Sequence, residues 1–170
     1  MIIDVFIRFI ADAAVILVIL IAAWALLFKI PKGHRYEAYC RILLAGLTAY
    51  MLAKFAATIY QPTTLRPFQE LGVEPGALYL NNPGFPSDHA LFVTAILCAV
   101  WFETRLKKTR IILLVLVLLV CIGRVLALVH TPLDVIGGVG IALVGALWYS
   151  NVLRKYLGKN LADRPKKRSA

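Results

Sequence analysis

An all-α bundle of about five transmembrane helices is the fold class this sequence predicts, and three observations predict it. Hydrophobic residues fill 61% of its 170 positions and charged residues 16%, against roughly half and a quarter in a soluble domain. The apolar residues gather into five runs, roughly Ala13–Phe28, Ile42–Tyr60, Ala90–Phe102, Ile111–Val129 and Val135–Leu153. A span needs about 20 such residues. The charges fall in short clusters between the runs, not over one polar surface. With no repeat or low-complexity tract, residues 1–170 read as one integral-membrane domain.

The first run is a retained span. Asp4 and Asp12 offset Arg8, and no small-residue cleavage site follows, so a secretory signal does not fit. Residues 1–12 fit either an interfacial helix or the start of that span. The second run closes at Tyr60, and the third, Ala90–Phe102, is short enough that its helix must begin near Asp88. Pro132 disfavours helix at Thr131, so the fourth helix should end near His130. Thr131 then becomes an N-cap, with Pro132 at the first helical position and Asp134 at the third. Cys40, Cys98 and Cys121 share no metal-ligand spacing and read as free apolar thiols.

Basic residues set the orientation. Lys29, Lys32, Arg35 and Arg41 lie between the first two runs, and Arg105, Lys107, Lys108 and Arg110 between the third and fourth. More basic residues fill the tail, including the stretch 160–170, whereas the other connections hold little beyond Arg66. Both basic loops and the tail are therefore expected in the cytoplasm and the N-terminus outside. Trp101 and the pair Trp148–Tyr149 would be interfacial aromatics at the cytoplasmic ends. The net charge of +10 is thus a topology signal, and it does not point to nucleic acid. Membrane lipids are the expected surroundings, and oligomeric state is not encoded legibly.

Depth follows from rise per residue. Lys54 is 13 residues past Arg41 and Arg124 is 14 past Arg110, so both lie roughly 20 Å into a core about 30 Å thick. His130 is then about 9 Å higher, at the outer interface. His89 opens the third span and Asp134 the fifth, at that same level. An intramembrane cation without partner or water costs several kcal/mol, and snorkelling covers only a few ångströms. Lys54 and Arg124 are therefore functional candidates. Cations gathered with imidazoles describe an anion site containing a nucleophile. Arg124 and His130 would be about 600° apart on an ideal helix, so arginine's reach would have to close the gap.

Each remaining candidate has a plain structural role beside the functional one. Asp134 suits a capping-box acid bonded back to Thr131, and it equally suits a carboxylate that fixes the tautomer of His130. Ser87 is a good N-cap, and the N–H groups after it favour a phosphate. His89 alone would be an ordinary interfacial histidine, and Arg66 alone a solvated loop residue.

The order Lys54…Arg66-Pro67, then Pro86-Ser87-Asp88-His89, then Gly123-Arg124…His130-Thr131-Pro132-Leu133-Asp134 resembles the three-part signature of the phosphatidic acid phosphatase type 2 superfamily. The soluble vanadium haloperoxidases share its phosphate pocket. The resemblance covers residues 54–134 and implies a metal-independent membrane lipid phosphatase with the acid-phosphatase and haloperoxidase type of core. It implies His130 as nucleophile, Asp134 orienting it, and His89 as general acid. Lys54, Arg66 and Arg124 would hold the phosphoryl oxygens, helped by Ser87, Asp88 and neighbouring backbone N–H groups. No cofactor and no metal is implied.

Eleven residues separate Lys54 from Arg66, where the family pattern usually has six. Asp88 replaces the commoner glycine, as in the bacterial undecaprenyl-pyrophosphate phosphatases of the superfamily, and Gly123 stands where serine is usual. Undecaprenyl pyrophosphate, at the extracytoplasmic face, is accordingly the expected substrate, with phosphatidylglycerophosphate or phosphatidate the alternatives. Two other classes compete. A non-catalytic phosphate-lipid binding or transport protein would need the cations but neither an acid nor a nucleophile. A metal triad of His89, His130 and Asp134 would be opposed by the nearby cations.

Overall fold

The computed structural model describes residues 2–60, 65–80 and 84–150, and among these there is no strand. The chain runs as α1 (Ile2–Arg8), a π turn (Phe9–Ala13), α2 (Ala14–Phe28), α3 (Arg35–Ile59), the single turn α4 (Pro67–Glu70), α5 (Asp88–Glu103), α6 (Lys107–Leu126) and α7 (Pro132–Gly145). Among the described residues, four helical stretches are long and apolar enough to cross a membrane: Ile3–Phe28, Lys32–Ile59, Lys107–Leu126 and Pro132–Tyr149. The remaining predicted span, the third in order, is α5, which has 16 residues, about 24 Å of helix. It begins at Asp88, as its short apolar run requires.

Residues 1–12 are no separate interfacial helix. Helical backbone continues from Ile2 through the π turn into α2, so the first span is longer than Ala13–Phe28. The basic tail and the end of the fifth run at Leu153 lie outside the described residues.

What holds the bundle is small-residue packing, because lipid offers apolar side chains as good a home as the interior does. On α3, Ala38, Ala45, Ala49 and Ala53 are buried while Leu43, Leu47, Met51 and Phe55 face outward. Each set recurs at helical spacing, so the alanines mark the protein face and the large residues the lipid face. Helix α7 answers with glycines. A Cβ on Gly145 would stand 2.5 Å from the Ala45 carbonyl oxygen, and one on Gly138 2.5 Å from that of Ser87. The larger apolar cluster lies between α2, α5 and α6, around Val18, Val93, Val100, Leu113, Val117 and Val120.

At the end bearing the basic loops, Arg41 makes a two-pronged bond to Glu103, with Nε–Oε1 at 2.7 Å and Nη2–Oε2 at 2.9 Å. Arg41 is thus also a strut between α3 and α5. Tyr149 departs from its expected interfacial place. It is buried, with its ring stacked on Phe102 at 5.2 Å. Trp148 and Trp101 do remain exposed, the first bonded to Thr48 Oγ1 and the second beneath Arg110.

Candidate active site

The side chains with chemical capacity sit where helices begin or end. Lys54 is in the last two turns of α3, His89 in the first turn of α5, Arg124 in the last turn of α6 and Asp134 in the first turn of α7. Up-and-down connection brings all four ends to one side of the bundle.

The α6–α7 junction carries the densest chemistry. Helix α6 stops at Leu126, four residues before the end expected at His130. The cause is local: Leu128 adopts φ 58°, a left-handed conformation that ends helices. The chain then doubles back, and the His130 N–H donates to the Arg124 carbonyl at 3.3 Å. The 600° separation on an ideal helix therefore does not apply. The turn re-phases His130, which is buried, as is Arg124.

Helix α7 begins with the expected capping box. The Asp134 N–H donates to Thr131 Oγ1 at 3.2 Å, and the Thr131 N–H donates to Asp134 Oδ2 at 2.8 Å. The same Oδ2 lies 3.5 Å from Nδ1 of His130, the longer of its two contacts. One carboxylate thus caps α7 and also faces the imidazole of His130. Burial holds the His130 imidazole below its ordinary pKa of 6.5, the Arg66 and Arg124 charges push the same way, and Asp134 opposes them. The ring is therefore neutral at pH 7.

Arg66 is not a solvated loop residue. It is buried, and its guanidinium donates to the carbonyls of Val129 and Leu80. Further bonds join this loop to the α6 end, from Phe68 N–H to Leu128 O and from Gly76 N–H to Ala127 O, both at 3.0 Å. Burial lowers the Arg66 pKa, with Asp134, Tyr79 and Asp88 acting in opposition.

Ser87 caps α5, its Oγ accepting from the Ala90 N–H at 3.5 Å, and its own N–H donates to the Asp134 carbonyl at 2.9 Å. Two motifs are thereby bonded backbone to backbone, and Gly138 lets α7 come close enough for it. His89 is within electrostatic reach of Arg124, His130, Asp12 and Asp88. Lys54 Nζ sits 3.5 Å from Asp88 Oδ1, so Asp88 meets the cation directly. Across the long Lys54–Arg66 spacing, Asp88 interacts with both cations.

One participant escaped the sequence reading. Arg124 Nη1 donates to Asp12 Oδ1 at 3.0 Å. Asp12 entered that reading only as a charge offsetting Arg8. A carboxylate inside an apolar helix carries the same signal as an intramembrane cation, and that signal could have found it. Among the described residues, buried Nε of Arg124, Nδ1 of His130 and Oδ1 of Asp134 lack a hydrogen-bond partner.

A cavity of about 340 Å³ opens between α3, α5 and α7, lined by Ile42, Gly46, Tyr50, Leu91, Ala95 and Ala142 among others. Its lining is apolar. Tyr50 is one turn from Lys54, whose ammonium lies 5.2 Å from the tyrosine ring centre, and Leu91 is one turn from Asp88. The cavity therefore starts one helical turn below the Lys54–Asp88 pair.

Fold and site define the class: a multi-pass helical membrane protein with cationic and imidazole side chains gathered at one end of its bundle. The model of the PAP2 superfamily matches residues 36–157, and the chain belongs to that superfamily. Its members are phosphatases, and the family suggests action on lipid phosphates. Comparison with curated proteins and with solved structures gives no match.

Proposed function

We propose that the protein hydrolyses a lipid pyrophosphate, undecaprenyl pyrophosphate best of all, through a phosphohistidine on His130. The observation that carries this is the α6–α7 junction. One turn buries a neutral imidazole together with an arginine that has an unsatisfied Nε, and a carboxylate lies 3.5 Å from the ring's Nδ1. A nucleophile needs that neutrality, and a phosphoryl group needs that donor.

In the first step His130 Nε2 forms a bond to phosphorus as the bond from phosphorus to the leaving oxygen breaks. His89 gives that oxygen its proton. Lys54, Arg66 and Arg124, with Ser87 and the first N–H groups of α5, stabilise the charge on the phosphoryl oxygens. Water then attacks phosphorus, His89 takes its proton, and the P–N bond breaks to release phosphate. Asp134 stabilises the positive charge that His130 acquires in the first step and gives up in the second. Asp88 serves through its backbone N–H, since its carboxylate is committed to Lys54.

Two features support a lipid pyrophosphate. The apolar cavity below the Lys54–Asp88 pair suits a hydrocarbon tail. Three cations suit a diphosphate better than a monoester, because charge-assisted bonds strengthen with the charge they meet. The basic loops at Lys29–Arg41 and Arg105–Arg110 support an extracytoplasmic site. Purified protein should release phosphate from undecaprenyl pyrophosphate in the presence of chelator. Its kcat/KM there should exceed that for phosphatidylglycerophosphate or phosphatidate more than tenfold, about 1.4 kcal/mol of transition-state discrimination. Acid-labile, base-stable phosphate should be trapped on the wild type and not on His130→Ala. A His130→Ala variant that turns over freely would sink the proposal, and an equal or reversed preference would move the substrate to the phospholipids.

A further inference from the structure

The family match begins at residue 36, yet a side chain from the N-terminal helix reaches the phosphate site. Asp12 lies in the π turn Phe9–Ala13. Such a turn holds an extra residue in the helix and re-aims its side chains, often at functional sites. The carboxylate then has two partners. Oδ1 accepts from Arg124 Nη1 and Oδ2 accepts from the Leu78 N–H, each at 3.0 Å. One carboxylate thus ties the buried arginine to the loop that carries Arg66.

A second observation stands beside it. A Cβ on Gly123 would lie 2.8 Å from the backbone nitrogen of Ala11, 3.0 Å from its Cα and 2.9 Å from Ile10 Cγ1. The π turn passes directly over the residue before Arg124, and only glycine leaves it room. Gly123 therefore does more than lose the hydroxyl of the serine usual at this place. It admits the backbone that brings Asp12.

Asp12 could be a counter-ion and nothing else. The shape of arginine says more. A guanidinium is a rigid planar fork, so fixing Nη1 fixes the direction of its other donors. Its Nε is buried without an acceptor among the described residues, so the bond to Asp12 sets where that donor points.

We propose that Asp12 is a positioning residue of the phosphate site, aiming Arg124 at the phosphoryl oxygens, and that residue 123 is glycine because this contact requires it. The inference rests on the phosphatase reading for its kinetic consequences but not for its binding ones. The test uses the full chain in detergent, with Asp12→Asn, Arg124→Ala, their double variant and Gly123→Ser. Turnover of the lipid pyrophosphate and binding of inorganic phosphate are both measured.

Asp12→Asn should lower kcat at least tenfold with KM changed less than threefold. Inorganic phosphate should bind at least threefold tighter, because the Arg124 guanidinium, no longer paired with a carboxylate, offers its whole charge to the anion. In the Arg124→Ala background the same substitution should change either quantity less than twofold, since Asp12 acts through Arg124. Gly123→Ser restores the family's usual hydroxyl, yet should cost as much turnover as Asp12→Asn. Losses that multiply in the double variant would overturn the proposal, as would a Gly123→Ser enzyme as active as wild type.

Should Asp12→Asn fail to fold, Asp12→Glu keeps the charge but displaces it by one methylene. It should lose at least fivefold in kcat, and full turnover would refute the positioning role. If the wild type releases no phosphate at all, the phosphatase reading fails. The coupling of Asp12 to Arg124 is then judged on phosphate binding, and a shift that persists without Arg124 overturns it.

Discussion

Replacing Asp134 by asparagine separates the two duties of one carboxylate. Oδ2 accepts from the Thr131 N–H at 2.8 Å and stands 3.5 Å from His130 Nδ1. Asparagine keeps an oxygen for the first duty and loses the charge for the second. The Coulomb energy of unit charges 3.5 Å apart is about 4.7 kcal/mol at an effective dielectric of about 20. Imidazole attacking phosphorus carries roughly half a positive charge at the transition state, so about 2.4 kcal/mol is at stake, close to fiftyfold in rate. Steady-state phosphate release in micelles should show kcat falling by about that factor, with KM within threefold, because the lost interaction grows with charge on His130. Melting temperature in detergent should barely move. Asp134→Ala should add a loss of about 1 kcal/mol in stability, the usual cost of an absent cap. If Asp134→Asn keeps more than half of wild-type kcat while Asp134→Ala merely melts earlier, Asp134 is a capping residue and His130 is oriented by something else.

Further expectations follow from other parts of the molecule. The acid limb of kcat/KM should lie below pH 6.5. The folded-state pKa of His130 is lowered, so the attacking neutral ring persists where a free imidazole would be half protonated; a limb above 6.5 would contradict this. Gly138→Ala should cost about 1–3 kcal/mol of stability and lower kcat as well. Its Cβ meets the Ser87 carbonyl oxygen at 2.5 Å and so levers apart the Ser87–Asp134 backbone bond; a variant with unchanged melting and turnover would show that this contact yields freely. In a background lacking Cys40, Cys98 and Cys121, an impermeant thiol reagent applied to intact cells should label cysteine introduced at Glu70 and spare cysteine introduced at Lys107. The reverse pattern would invert the topology.

Helix starts were the most legible part of this sequence. Thr131-Pro132-Leu133-Asp134 and Ser87-Asp88 use cap chemistry that depends on neighbours in the chain, so the tertiary setting did not have to be known. Burial was far less legible. In a membrane bundle both the lipid face and the protein face are apolar, so hydrophobicity does not separate Leu43 from Ala45 on α3. Residue size does, and Tyr149 shows the limit of that rule: a polar aromatic at a helix end is ambiguous until Phe102 is found beneath it. The left-handed Leu128 was also hidden, since leucine carries no signal for that conformation.

Charges misled in a more instructive way. Arg41 counts toward orientation and also clamps Glu103; Asp12 looked like compensation for Arg8 and instead holds Arg124. A charge in a membrane protein has two ways of meeting its solvation cost, by reaching water or by finding an opposite charge from a distant helix. The sequence shows the charge but not the choice. Wherever a cation lies deeper than snorkelling allows, the carboxylates of every other span are candidates for its partner. Applied to this chain, that rule brings Asp12 forward for Arg124, and it points to the N-terminal helix as a part of the site rather than an anchor for it.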